Sequence, residues 1–187
     1  ASLRAEVPAN TWYGETQFCY FRNVSGWFFA AKGGHNNESH NHNDVGTFVL
    51  YADNLPVFVD AGVGTYTKKT FSYERYTIWS MQSDWHNLPM INGASQIAGP
   101  EFRAENVSCN PDRMTFSADI SGAYGPNASC RSWTRSYSLG KNSLKITDAF
   151  SLDKRVAADT VNFMVVGEVR LPGEDYTDAD GSLHTVG

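Results

Sequence analysis

Eleven residues, Gly34-His35-Asn36-Asn37-Glu38-Ser39-His40-Asn41-His42-Asn43-Asp44, hold three of the chain's five histidines beside two carboxylates and four asparagine amides. Imidazole is the commonest protein ligand for zinc and the readiest base near neutral pH. A His40-Asn41-His42 step among amides therefore reads as a metal site or a proton-transfer site. Asp60 and the pair His86-Asn87 lie on two later segments and could close such a site. His42, Asp60 and His86 would supply two imidazoles and one carboxylate, a donor set suited to a zinc ion that ties loops to a sheet. The same residues also fit a second reading, in which polar loop histidines are capped by Asn and Ser. From the residues alone both stay open.

Whatever these side chains do, strands must position them. Short runs rich in Val, Phe, Tyr, Trp and Thr recur between turn residues, which points to many strands rather than helices. The candidates are 16–22, 26–32, 46–52, 56–60, 101–108, 113–120, 132–139, 143–152 and 161–171. Gly140-Lys141-Asn142 between two of these runs is a strong hairpin signal. Only Glu74 to Met81 hints at a helical apolar period. The expected class is all-β, an antiparallel β-sandwich, with residues 1–187 forming a single domain. The stretch 65–99 breaks the strand rhythm and is long for a connection, so it is expected to be a functional loop. Its Tyr66, Phe71, Tyr73, Tyr76, Trp79 and Trp85 with Arg75 among them suit an acidic carbohydrate, since rings stack on sugars and arginine pairs with carboxylates. An extra layer of core is the alternative use of such rings.

Register limits the metal reading. If 46–52 pairs with 56–60 through a turn at Asp53-Asn54, Asp60 falls opposite Thr47 or Phe48, and an extended His42 lies too far away. The chain must therefore curl back between Asn43 and Gly46, where Asn, Asp and Gly make turning easy.

Composition narrows the partners. A net charge of -5 with no Lys/Arg run argues against a general nucleic-acid binder. No apolar run has the length of a membrane span. Lys32, Lys68, Lys69 and Arg75 flank the histidine-rich stretch and could meet an acidic ligand. Cys19, Cys109 and Cys130 are widely separated with no CxxC, which excludes a thiolate zinc motif and leaves buried thiols, or one pair and a spare. A chain beginning at Ala1 is expected to be a processed product or a piece of something longer.

The string Lys32-Gly33-Gly34-His35-Asn36-Asn37-Glu38-Ser39-His40-Asn41-His42-Asn43-Asp44-Val45-Gly46, followed by Pro56-Val57-Phe58-Val59-Asp60-Ala61-Gly62, Arg75-Tyr76 and Trp85-His86-Asn87, resembles the C-terminal β-sandwich of heparinase II/III-like polysaccharide lyases. The likeness covers about residues 30 to 100. It implies that His40 is a catalytic or substrate-neutralising histidine facing the cleft, and that His42, Asp60 and His86 hold a structural Zn2+. It further implies that Asn41, Asn43, Tyr73 and Arg75 meet substrate, an acidic polysaccharide or oligosaccharide cleaved by β-elimination. Such lyases also carry an N-terminal α/α-toroid domain with a catalytic tyrosine, and nothing here resembles it. The chain alone is accordingly expected to be inactive and to form one wall of an interdomain cleft, in a periplasmic or secreted protein. Two other classes compete: a noncatalytic zinc-stabilised carbohydrate-binding β-sandwich module, and a zinc hydrolase with an open metal position.

Overall fold

Alternation of apolar and polar residues dictates two facing sheets. In the strand Cys130–Leu139, Trp133, Arg135, Tyr137 and Leu139 are buried while Ser132, Thr134, Ser136 and Ser138 lie nearer solvent, the period-two signature of a half-buried strand. A computed structural model describes residues 10–177 and 181–185. Strands Asn10–Tyr13, Phe18–Arg22, Phe28–Lys32, Phe48–Ala52 and Leu55–Phe58 pair in that order into an antiparallel five-stranded sheet. Strands Leu144–Leu152, Cys130–Leu139, Thr115–Asp119 and Glu105–Asn110 form an antiparallel four-stranded sheet in that spatial order. The result is the expected antiparallel sandwich.

The core lies where the sheets face each other. Phe29 and Phe48 of the first sheet meet Tyr137 of the second, with ring centroids 5.3 and 5.2 Å away, and Trp12 meets Phe116 at 6.0 Å. Rings at these separations bury large apolar area and gain from tilted packing. The buried Tyr137 hydroxyl does not go unpaired, because it donates to the Gly46 carbonyl at 2.6 Å.

Three sequence expectations change in detail. The run 101–108 is two strands, because Gly99–Arg103 pairs with His35–Asn36 whereas Glu105–Asn110 joins the four-stranded sheet. Ala104 between them is buried and gives its N–H to Gly34. The run 161–171 is mostly irregular: only Thr160–Val161 pairs, with Pro89–Met90, and Val165 bridges to Phe58. Its valines are half-exposed along an edge, so apolar composition alone mimicked a strand. The strand Asn10–Tyr13, only four residues long, escaped the sequence reading.

The long segment is folded on itself. Four successive 3-10 turns, Lys69–Phe71, Tyr73–Thr77, Trp79–Met81 and Ser83–Trp85, replace the helical period read at 74–81. Ile78 and Gln82 are extended between them, so no α-helix propagates. Among the described residues no helix is long and apolar enough to cross a membrane.

Candidate metal centre and adjoining cleft

The turn chemistry read from the sequence brings the donors together. Asp53 and Asn54 both adopt positive φ, as a tight hairpin turn requires, and Leu50 pairs with Phe58. Asp60 then lies just beyond the strand end. Gly46, at φ +87°, turns the chain so that the Thr47 N–H reaches the Asp44 carbonyl. A Cβ there would stand 2.6 Å from the Ile120 side chain, so glycine is required twice over. His42 is thereby folded back over the sheet end instead of running away from it.

One donor atom from each of His42, Asp60 and His86 lies within 4.8 Å of the others. The imidazoles face each other with centroids 5.2 Å apart. His86 is fully buried, His42 nearly so, and the Asp60 side chain is about one-third open to solvent at 34%. His86 Nδ1 sits 2.7 Å from Asp60 Oδ2, and Asp60 Oδ1 accepts the Gly62 N–H at 2.7 Å. That leaves His86 Nε2 buried without a partner. Such an atom costs roughly 1–3 kcal/mol if nothing meets it. A metal ion is the kind of partner a buried imidazole nitrogen accepts, and two imidazoles with a carboxylate suit zinc.

Electrostatics favours the ligand forms. Burial holds the His42 imidazolium below the usual histidine range, which keeps the ring neutral. For Asp60 burial opposes ionisation, but the His86 hydrogen bond and charge outweigh it and hold the carboxyl below its ordinary value.

Behind these groups lies a polar scaffold. Asn87 Nδ2 donates to the Phe48 and Val59 carbonyls at 2.7 and 3.0 Å, and its Oδ1 accepts the Met164 N–H at 2.6 Å. One amide thus fixes the residue next to Asp60 and the residue next to His86. Arg135 reaches from the opposite sheet, giving Nη1 to the Asn87 carbonyl at 2.8 Å while Asp148 holds its Nε and Nη2, both at 2.8 Å. Gln96 accepts the Val45 N–H, donates to the Val45 carbonyl and binds the Asn36 amide. Arg135 announced itself only as a charged residue at an apolar position of the alternation, and Gln96 gave no signal in the sequence.

His40 adjoins the three-donor group. It is exposed, at φ +59°, in a left-handed conformation that non-glycine residues adopt rarely and often at functional sites. A cleft of about 330 Å³ holds it with His42, Asp60, Lys32, Glu38 and Phe18. Asn41 is buried, donating to the His42 carbonyl and accepting from the Tyr76 hydroxyl at 3.0 Å. Arg75 spends its guanidinium on the Asn41 and Thr70 carbonyls. Lys32 is buried against Asp44 at 2.7 Å. Asn43 is buried with Oδ1 unpartnered, and its Nδ2 is 3.4 Å from the Gln96 carbonyl. Tyr73 stands almost wholly in solvent, at 95%. Of the residues expected at the site, His40, His42, Asp60 and His86 converge, Asn41, Asn43 and Arg75 are turned to the protein, and Tyr73 stands in solvent outside the lining of the cleft.

Known proteins share the fold. The heparinase III BT4657 gene product superposes with a TM-score of 0.68 at 20% identity, covering 93% of this chain and 27% of that one. Heparan sulfate lyase HepC from Pedobacter heparinus gives 0.61 at 16%, covering 80% and 23%, and a heparinase III structure gives 0.59 at 18%, covering 94% and 27%. This chain therefore spans about a quarter of the length of these solved proteins. No curated protein matches by sequence. A model of the heparinase II/III-like C-terminal family matches residues 11–172, nearly the whole of the sandwich. The chain belongs to the heparinase II/III-like C-terminal family.

Proposed function

We propose that this chain is the C-terminal β-sandwich part of a polysaccharide lyase that cleaves a uronic-acid-containing polysaccharide by β-elimination. The observation that carries the reading is the convergence of His42, Asp60 and His86 from three segments beneath an exposed, left-handed His40. Support comes from family membership and from folds shared with a heparinase III and a heparan sulfate lyase. In such an elimination a base takes the proton next to the sugar carboxylate, and the carboxylate must first be neutralised for that proton to be acidic enough. His40 stands where an imidazole can meet that carboxylate or the proton beside it. The loop that carries it is held by Asn41, Tyr76 and Arg75, so those residues act by keeping His40 in place. Tyr73, open to solvent on the turn that also carries Arg75 and Tyr76, would offer a ring for a sugar to stack on. Zinc held by His42, Asp60 and His86 would fix the loop ends, with Asn87 and Arg135 as its outer support. The remaining catalytic groups, a tyrosine acid among them, would come from an N-terminal α/α-toroid domain.

The test uses the full-length protein. The His40→Ala variant should lose at least a hundredfold in release of unsaturated uronate while keeping its zinc. Unchanged turnover would remove His40 from the reaction. Zinc analysis of the purified protein should find one ion per chain, absent in His86→Ala, and chelation should lower the melting temperature. A second reading, a noncatalytic carbohydrate-binding module, is favoured by the half-exposed Trp79 and Trp85, whose rings meet edge to face at 5.1 Å. It expects His40→Ala to leave turnover intact and Trp79→Ala to weaken sugar binding.

A further inference from the structure

The interior of the sandwich holds two thiols that the candidate site does not use. Cys19 lies on the strand Phe18–Arg22, opposite Trp12 on one side and Ala31 on the other, and is fully buried. Cys109 lies in the other sheet, on Glu105–Asn110, opposite Phe116, half-buried and packed against the core. Their cross-strand partners meet as well, since the Trp12 and Phe116 rings are 6.0 Å apart. The sheets therefore touch at this level. Both side chains belong to the core between the sheets, where each thiol feels the other. Cys130 is occupied elsewhere, two strands away in the four-stranded sheet, facing the Ser132 and Ser151 carbonyls.

We infer that Cys19 and Cys109 are the two halves of a structural disulfide that joins the sheets when the protein folds in the presence of a disulfide oxidant such as oxidised glutathione. Two cysteines on facing strands, each beside a ring that touches the other's ring across the interface, are the arrangement from which a bridge between sheets can close. Cys109, the more open of the two, attacks the oxidant, forming a mixed disulfide and releasing one glutathione thiol. Cys19 then displaces the second glutathione. Two S–H bonds are replaced by one S–S bond, two protons pass to solvent, and two electrons reduce the glutathione disulfide to two thiols. Burial pushes the Cys109 thiol up to about 11 and raises Cys19 further, so exchange inside the finished fold is slow and the bridge closes while the chain is still folding. The bridge spans 19 to 109, a segment that includes His42, Asp60 and His86, and it is independent of any reading of that centre.

The full-length protein is unfolded and refolded in a glutathione redox couple, and in parallel with a phosphine reductant, then mapped by mass spectrometry without reduction. A Cys19–Cys109 peptide pair lighter by two hydrogens is expected, with Cys130 free. The oxidised protein should melt roughly 5–15 °C above the reduced one. That gain should be absent in Cys109→Ser, each variant being compared oxidised against reduced, and retained in Cys130→Ser. Both thiols still open to alkylation after equilibration in the oxidising couple, or a bridge that uses Cys130, would overturn the inference.

Discussion

Arg135→Met tests the support behind the candidate centre. Arg135 is 1% exposed and makes three hydrogen bonds of 2.8 Å, two to Asp148 and one to the Asn87 carbonyl. Removing one partner of a buried ion pair costs about 3–5 kcal/mol, because the other charge is left uncompensated. Here part of that is relieved: the Asp148 side chain is 18% exposed and keeps its bond from Trp133 Nε1 at 2.8 Å. The Asn87 carbonyl loses its donor and adds about 1 kcal/mol or more. A net loss of about 4 kcal/mol follows, a large share of the roughly 5–15 kcal/mol of a typical domain. Urea unfolding followed by tryptophan fluorescence should show the midpoint falling by about 2 M, with a slope near 2 kcal/mol per molar. Arg135→Met/Asp148→Leu removes both charges and should regain most of the loss. A single variant that loses less than about 1 kcal/mol, or a double variant less stable than the single, would refute the account of a committed buried pair.

Gly46→Ala should destabilise by about 2 kcal/mol or more, since it combines φ +87° with a Cβ pressed on Ile120; thermal melting reads it, and an unchanged melting temperature would deny the turn its role. Asn87→Ser removes the amide that ties Phe48, Val59 and Met164 together, and chelator competition should show zinc affinity down roughly 10–100-fold. Equal affinities would mean that the amide does not position the ligands. Burial and the nearby Asp119 charge push the Cys130 thiol from 9.0 to about 11. The neutral form is thus favoured in the fold, so below pH 9 its thiolate population is about a hundredfold smaller than that of an ordinary thiol. Iodoacetamide labelling of native protein at pH 8 should lag the unfolded chain by at least that factor, and parity would contradict the burial.

Local chemistry was legible wherever one residue type answers one backbone demand. Asp53-Asn54 announced a tight turn that set Asp60 apart from an extended His42, and the reversal that the metal reading needed between Asn43 and Gly46 is present, so the two residues do approach. The β-rich runs 132–139 and 143–152 on either side of Gly140-Lys141-Asn142 announced a hairpin and with it half of the second sheet. What stayed hidden depends on contacts between distant segments. Nothing near Arg75 in sequence says that its guanidinium will be consumed by the Asn41 carbonyl 34 residues earlier. Nothing near Ala104 says that one apolar run will serve two sheets. Glu74 to Met81 carried a helical period, yet an extended Ile78 divides it and an extended Gln82 ends it.

The stretch 160–166 touches the five-stranded sheet only through the Val165–Phe58 bridge, yet it laces two distant segments together: Val161 pairs with Pro89, Met164 exchanges bonds with Asn87 and Val59, and Val166 bonds Val57. A ribosome would have released every one of the histidines near the centre long before this latch emerged. Donors written early in the chain thus wait on a late arrival, and a product ending near residue 155 would own all three without the bonds that tie 57–59 to 87–89.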